Sequence, residues 1–349
     1  MRTGPEGGAE MISVYGLGNP LMDIVLHVAI DAPESLDAVP GSMNLVDYER
    51  QRAAIACGSD PAFSPGGSCA NTIRGIALLS NLEREVHSLS PSDLTPMPAY
   101  TGAIGKDKNG DRFEQIMHGQ GVVTRLARKE VPTGTSAILV TPDFERTMFT
   151  YLGACREYVE ADFDTTLLDQ SALFHTTGYM WDTPTQEAAA RFAVAEARRR
   201  GLRVSFDIAD PFVAFRYRDR LLEWLPGRID ILFANSEELR AMTQVSGTDE
   251  QVIRAAAGIA PIIAMKVGKE GCILLSEGVV TRIPGEVVTP HDTTGAGDAF
   301  AAGFLYGLLR DCPLAECGKF GNRLASRMVT VEGCSYDRIP SADLVEMVN

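Results

Sequence analysis

The chain has 349 residues, 45% hydrophobic and 22% charged, so it can bury a large core and gives no compositional case for disorder. Its 32 basic and 46 acidic residues give a formal net charge of −14, with no cationic run beyond RRR at 198–200, which argues against a grip on a nucleic-acid backbone. The seven cysteines form no CxxC pair, the five histidines are scattered, and no run of 18 apolar residues is available to cross a membrane. We therefore expect reduced, mostly buried thiols in a cytoplasmic protein, preceded by a disordered leader at 1–10.

In chain order, short apolar runs recur at 12–18 (ISVYGLG), 24–30 (IVLHVAI), 135–141 (TSAILVT), 172–178 (ALFHTTG), 203–209 (RVSFDIA), 229–235 (IDILFAN) and 262–268 (IIAMKVG). Helical patterns separate several of them, the clearest at 183–201, where Thr183 or Thr185 caps the start and Gly201 stops the end. This alternation predicts an α/β fold: a mostly parallel central sheet covered by helices on both faces, three layers in all. Residues 24–50 and 122–153 break the rhythm, the second reading as VVTRLA, TSAILVT and RTMFTYLG with turns but no helix between. Partly exposed antiparallel strands explain both, and predict a small β-sheet lid built from two insertions in one domain spanning 11–345. The tract SPSDLTPMPAY (90–100) reads as an exposed loop.

The strongest local signal is DTTGAGDAFAAGFLYGLL (292–309). Its second half is apolar nearly all round and reads as a buried helix. Gly295, Ala296 and Gly297 put three small residues at that helix's N-terminus, where unpaired N–H groups and the dipole favour an anion such as phosphate. Asp298 falls in the first turn. A carboxylate there is also a routine helix stabiliser, but one at the mouth of a buried helix faces an interior cleft. Other phosphate motifs are excluded by counting. GLGNPL has Leu21 where a dinucleotide fingerprint needs its third glycine, and GAIGKDK (102–108) lacks the remainder of a P-loop.

PGGSCAN (65–71) and DTTGAGDAF, with a glycine pair and downstream Asn near the start, resemble in order and spacing the PfkB/ribokinase family of carbohydrate kinases across about 12–340. GNPLMD (18–23), PTGTSA (132–137) and YLGACREY (151–158) are most similar to its adenosine kinase subfamily. The resemblance implies an ATP- and Mg²⁺-dependent kinase that phosphorylates the primary 5′-hydroxyl of a nucleoside. Asp298 would be the general base and Gly295, Ala296 and Gly297 the anion hole. Asp23, Gly67 and Asn71 would hold the ribose, with Asn19 and Gly66 lining the same pocket. Asn235 and Glu238 of NSEE would organise Mg²⁺ largely through water. Lys266, Gly268, Gly271 and Thr293 would lie on the nucleotide side, with Asp292 and Thr294 beside a monovalent cation such as K⁺. Tyr179, Met180 and Trp181 are candidates to stack on the base, Trp181 foremost.

Each segment also has an ordinary structural reading: PGGS as a turn, Asn71 as a helix cap, NSEEL as a capping start, and the aromatics as core. Adenosine is the expected acceptor. Another nucleoside, a free sugar such as ribose or fructose, or a non-catalytic nucleoside or sugar sensor remain open, and no nucleic-acid or membrane partner is expected. Both a monomer and a homodimer are compatible with the sequence.

Overall fold

The computed structural model describes residues 12–89, 97–143 and 145–348. The expected leader at 1–10 lies outside these, as do residues 90–96 of the expected loop. Fourteen strands are present among the described residues: β1 Ile12–Leu17, β2 Leu21–His27, β3 Met43–Leu45, β4 Ser59–Gly66, β5 Met97–Gly105, β6 Val123–Lys129 and β7 Gly134–Val140. The remainder are β8 Arg146–Tyr151, β9 Ser171–Thr177, β10 Arg203–Asp207, β11 Ile231–Asn235, β12 Ile262–Lys266, β13 Cys272–Ser276 and β14 Val279–Ile283.

Nine strands form the large sheet in the order β14-β13-β12-β11-β10-β9-β1-β5-β6. The ladder is parallel from β6 to β12, and β13 and β14 close it as antiparallel hairpin strands. Successive residues of β1 show why these runs are continuously apolar. Val14 faces a cluster under the helices Ser68–Val86, Ala296–Leu309 and Leu314–Met328, while Tyr15 faces one under Pro184–Arg199 and Pro211–Trp224. A sheet buried on both faces needs no polar alternation. This is the expected three-layer α/β/α arrangement. Strand order diverges on either side of β1, which places a crevice outside the carboxyl ends of the parallel strands.

A second sheet of five strands, β3-β8-β7-β2-β4, stands over that crevice. It differs from expectation in three ways. It is mixed, because β2 pairs β7 and β3 pairs β8 in parallel. Residues 123–129, grouped by sequence with the small sheet, are instead the parallel edge strand β6 of the large one. An edge strand of a parallel sheet is exposed on one side and carries the same alternation as a free-standing strand, so pattern alone does not separate them. The second sheet also takes β4, whose SDPAFSPG carries two prolines and lies outside the apolar runs that read as strands. Proline is tolerated there because β4 pairs only with β2 and needs donors on one side alone. Residues 97–100 are not exposed loop but the start of β5, with Pro98, Ala99 and Tyr100 buried.

Candidate active site

A cavity of about 500 Å³ opens between the two sheets. Its floor is made by the loops that follow β1, β9, β10, β11 and β12, and by the start of the Ala296 helix. Gly295 precedes that helix with φ +75°, and a Cβ on it would fall 2.6 Å from Cys334 Sγ. A left-handed backbone tight against a neighbour leaves glycine as the residue that fits. Gly295 and Gly297 line the cavity; Ala296 does not, and its N–H donates to the Thr293 carbonyl at 3.2 Å.

Asp298 lies in the first helical turn and faces the cavity. Ser68 Oγ donates to its Oδ1 (2.6 Å) and Asn71 Nδ2 to its Oδ2 (2.9 Å). Both donors come from the start of the Ser68–Val86 helix, so the two helix N-termini are joined through one carboxylate. Behind them the buried Arg74 donates to Asn71 Oδ1 (3.2 Å), to the Pro65 carbonyl (2.7 Å) and to Gln120 Oε1 (2.7 Å), which fixes the Asn71 amide. Desolvation pushes the Asp298 carboxyl up to about 6, against the Ser68 and Asn71 bonds that favour its charged form.

Asp23 lines the same cavity from β2 of the second sheet. Burial pushes it up to about 7, opposed by the positive charges of Arg74 and Arg146. Gly66 makes room for it, since a Cβ there would lie 2.4 Å from its oxygens. Gly67, at φ +95°, passes so close to Asn19 that a Cβ would fall 2.1 Å from its carbonyl oxygen. Asn19 also lines the cavity, but its amide is held by the protein: Nδ2 donates to the Tyr179 carbonyl (3.3 Å) and Oδ1 accepts from Gln186 (2.8 Å).

On the far side, Asn235 and Glu238 form a reciprocal capping box at the start of the Ser236–Thr243 helix. Glu238 accepts from the Asn235 N–H and amide, both at 2.7 Å, and both residues line the cavity. Burial pushes Glu238 up to about 7, with Lys266 pulling the other way. Lys266 and Gly268 line the cavity beside them.

Several sequence candidates are not in the cavity lining, Gly66 and Thr294 among them. Trp181 is fully buried in the core against Trp224 and Phe206, with ring centroids at 4.9 and 5.3 Å, and is not part of the cavity lining; nor is Met180. Tyr179, two residues before Trp181 in the same 3-10 turn, faces the cavity instead, since each residue of such a turn rotates the side chain by about 120°. Gly271, at φ +95°, serves the turn between β12 and β13, where a Cβ would fall 2.2 Å from the Ile283 carbonyl oxygen. Thr293 and Asp292 border a separate hollow beside the second sheet. Asp292 faces a cation already, because the Arg146 guanidinium of β8 pairs with its Oδ2, which also accepts from Gly333 N–H (2.7 Å), while Oδ1 accepts from Thr294 N–H (2.9 Å).

Sequence reasoning missed Ser68, Asp207, Arg146 and Phe212. Ser68 was discoverable as the first polar side chain after PGG. Nothing local marks the others: Asp207 pairs with Lys266 across 59 residues and Arg146 with Asp292 across 146.

The pfkB family carbohydrate kinase model matches residues 36–342. This chain belongs to the PfkB family. An adenosine kinase from Dictyostelium discoideum is 24% identical over 343 residues, covering 93% of this chain and 96% of that protein. Among solved structures, an adenosine kinase from Sinorhizobium meliloti is 31% identical with a TM-score of 0.82, covering 93% of this chain and 96% of that one. A probable sugar kinase from Rhizobium etli CFN 42 is 29% identical with a TM-score of 0.85, covering 97% and 99%. The chain is thus an ATP-dependent phosphotransferase with an alcohol acceptor, a PfkB kinase most similar to adenosine kinases, and a sensor without catalysis is set aside. Among the described residues no helix is long and apolar enough to cross a membrane.

Proposed function

We propose that this PfkB kinase transfers the γ-phosphoryl group of ATP to the 5′-hydroxyl of adenosine, with Asp298 as general base. The observation that carries the reading is Asp298 itself, a desolvated carboxylate held by two neutral donors beside a glycine-led helix N-terminus, in one cavity with Asp23. Phosphoryl transfer asks for alignment, charge stabilisation and a proton acceptor. The acceptor oxygen bonds phosphorus as the bond to the β,γ-bridging oxygen breaks, ADP leaves with that electron pair, and the hydroxyl proton goes to Asp298. The amides around Gly295 and Gly297 supply donors to the transferring group without solvent reorganisation. Asp23 and Asn71 are the groups suited to a vicinal diol, and the former bonds best as the carboxylate, which a diol's donors would favour.

The acceptor side favours a nucleoside over a free sugar. Met43, Leu45, Met148 and Leu152 of the second sheet and its flank face Tyr179 and Phe212 across the cavity, an apolar slot of the kind a flat base fills. The second sheet would then serve as the lid that excludes water. Among the described residues no three His, Cys, Asp or Glu side chains gather as for a bound metal. Mg²⁺, which neutralises phosphate charge, fits this donor set as an ion that arrives with ATP and keeps most of its waters, with Glu238 the carboxylate to receive them. Asp292 is the weaker seat for K⁺ because Arg146 holds it.

A coupled ADP-release assay across adenosine, inosine, guanosine, cytidine, ribose and fructose 6-phosphate tests the proposal. Adenosine is expected to give the highest kcat/KM. Turnover of ribose or fructose 6-phosphate with none of adenosine would move the acceptor to a free sugar, the reading that the Rhizobium etli likeness represents.

A further inference from the structure

Asp207 and Lys266 end β10 and β12, on either side of β11, and meet across it. The Lys266 ammonium donates to both Asp207 oxygens, at 2.9 and 3.1 Å. Asp207 is 1% exposed, and its Oδ1 also accepts from the Ala209 N–H (2.9 Å), where the chain turns with Ala209 at φ +72°. That left-handed conformation is uncommon for a residue other than glycine, so the carboxylate sits in a tight, strained loop. Lys266 reaches the cavity from there, and a Cβ on Gly297 would lie 3.2 Å from its Nζ. The ammonium therefore stands against the first turn of the Ala296 helix.

A buried ion pair rarely stabilises a fold better than apolar residues of the same volume would. Stability alone is thus a poor reason for this one. The pair also has a particular geometry. Three carboxylates, Asp207, Glu238 and Asp298, surround the ammonium and hold its pKa up despite burial. Only Asp207 bonds it among the described residues, and two of its three N–H groups are engaged there. Asp298 keeps neutral donors, Ser68 and Asn71, and so retains the basicity that a direct bond to Lys266 would remove.

We infer that Lys266 is a catalytic cation for the transferring phosphoryl group and that Asp207 is the residue that positions it, holding the ammonium at the helix mouth and off the general base. This rests on the kinase reading above. As the bond to the bridging oxygen breaks and the bond to the acceptor oxygen forms, negative charge spreads over the equatorial oxygens of the phosphoryl group. A fixed ammonium beside the Gly297 turn meets that charge without rearranging. A lysine free on its four-carbon stem would instead settle on whichever carboxylate was nearest.

The test uses Lys266→Met, Lys266→Arg, Asp207→Asn and the double variant Asp207→Asn/Lys266→Met, which removes both buried charges together and so avoids stranding one. Steady-state kinetics is paired with calorimetric binding of ADP alone and of ADP with aluminium fluoride and nucleoside, a mimic of the transferring group. Lys266→Met and the double variant are expected to lower kcat by about 10²–10³, with nucleoside KM within a few-fold. Affinity for the mimic should fall in parallel while ADP affinity holds, and Lys266→Arg should recover part of both. Asp207→Asn should lower kcat alone, and add nothing in the Lys266→Met background, because it acts through that ammonium.

A folded double variant with near wild-type kcat overturns the inference. So does an equal loss of affinity for ADP and for the mimic, which makes Lys266 a ground-state nucleotide contact, or full additivity of the Asp207 and Lys266 effects. Wild-type protein that turns over none of the acceptors overturns the kinase reading and this inference with it. Wild-type turnover with unaffected variants overturns this inference alone.

Discussion

At the scale of single residues, Asp298 acquires its chemistry from neutral neighbours: Ser68 and Asn71 orient it while desolvation raises it to about 6. Asp298→Asn is expected to lower kcat by about 10²–10⁴ with nucleoside affinity within a few-fold, read by ADP release and calorimetry. Turnover within tenfold of wild type would remove it as base. The proposed base works as the carboxylate, so kcat/KM, which reports the free enzyme, should fall as pH drops through about 6. A profile flat down to pH 5 would contradict this. Stability follows the opposite sense. A carboxyl whose folded pKa lies above its ordinary 3.8 binds its proton more tightly in the folded state, so the stability present below about 4 is lost as pH rises through about 6. Asp298→Asn should accordingly raise the melting temperature more at pH 8 than at pH 5. Gly295, Gly297 and Asp298 were legible because a helix start is set by near neighbours in the chain, whereas the bond from Asn71 to Asp298 spans 227 residues and was not. Trp181 was misread because an aromatic in an apolar segment fits core and pocket equally, and only the turn at Gly178–Trp181 decides which way each ring points.

At the scale of elements, local signals placed starts and stops well. Thr183 accepts from the Gln186 N–H (3.3 Å) at the start of the Pro184–Arg199 helix, and Gly201 follows its end at φ +70°. Thr183→Ala should cost about 1 kcal/mol in urea denaturation; no change would show that the cap is replaced by solvent. The Ala296–Leu309 helix was readable as buried, but the reason for its glycines lies in its partner. A Cβ on Gly303 would fall 2.4 Å from the Phe320 carbonyl oxygen of the Leu314–Met328 helix. Gly303→Ala should therefore destabilise by about 1–3 kcal/mol through forced separation of the two helices, despite alanine's better helix propensity. A stabilised variant would show that the helices part freely. The strand β4 escaped, and β6, read as a strand, was given to the wrong sheet, because hydrogen-bond partnership and not composition decides where an edge strand belongs.

At the scale of the whole molecule, the second sheet is tied to the loop before the Ala296 helix, beside the hollow separate from the cavity, by the largely buried pair of Arg146 on β8 and Asp292. Arg146→Met should speed amide exchange in β7 and β8 while leaving β9 to β12 unchanged, as hydrogen exchange would report. Unchanged rates in β7 and β8 would show that packing alone holds the second sheet. The layered α/β class and a glycine-led helix start suited to an anion, with Asp298 in its first turn, were legible in the chain because strand period, helix capping and glycine turns act within a few residues. The tertiary structure alone decided which strands belong to which sheet, that Tyr179 and not Trp181 meets the cavity, and that Lys266 is held by Asp207 and Asp292 by Arg146. Those outcomes depend on groups brought together from 59 and 146 residues apart, and charge pairing and desolvation at such separations leave no periodic trace in the chain.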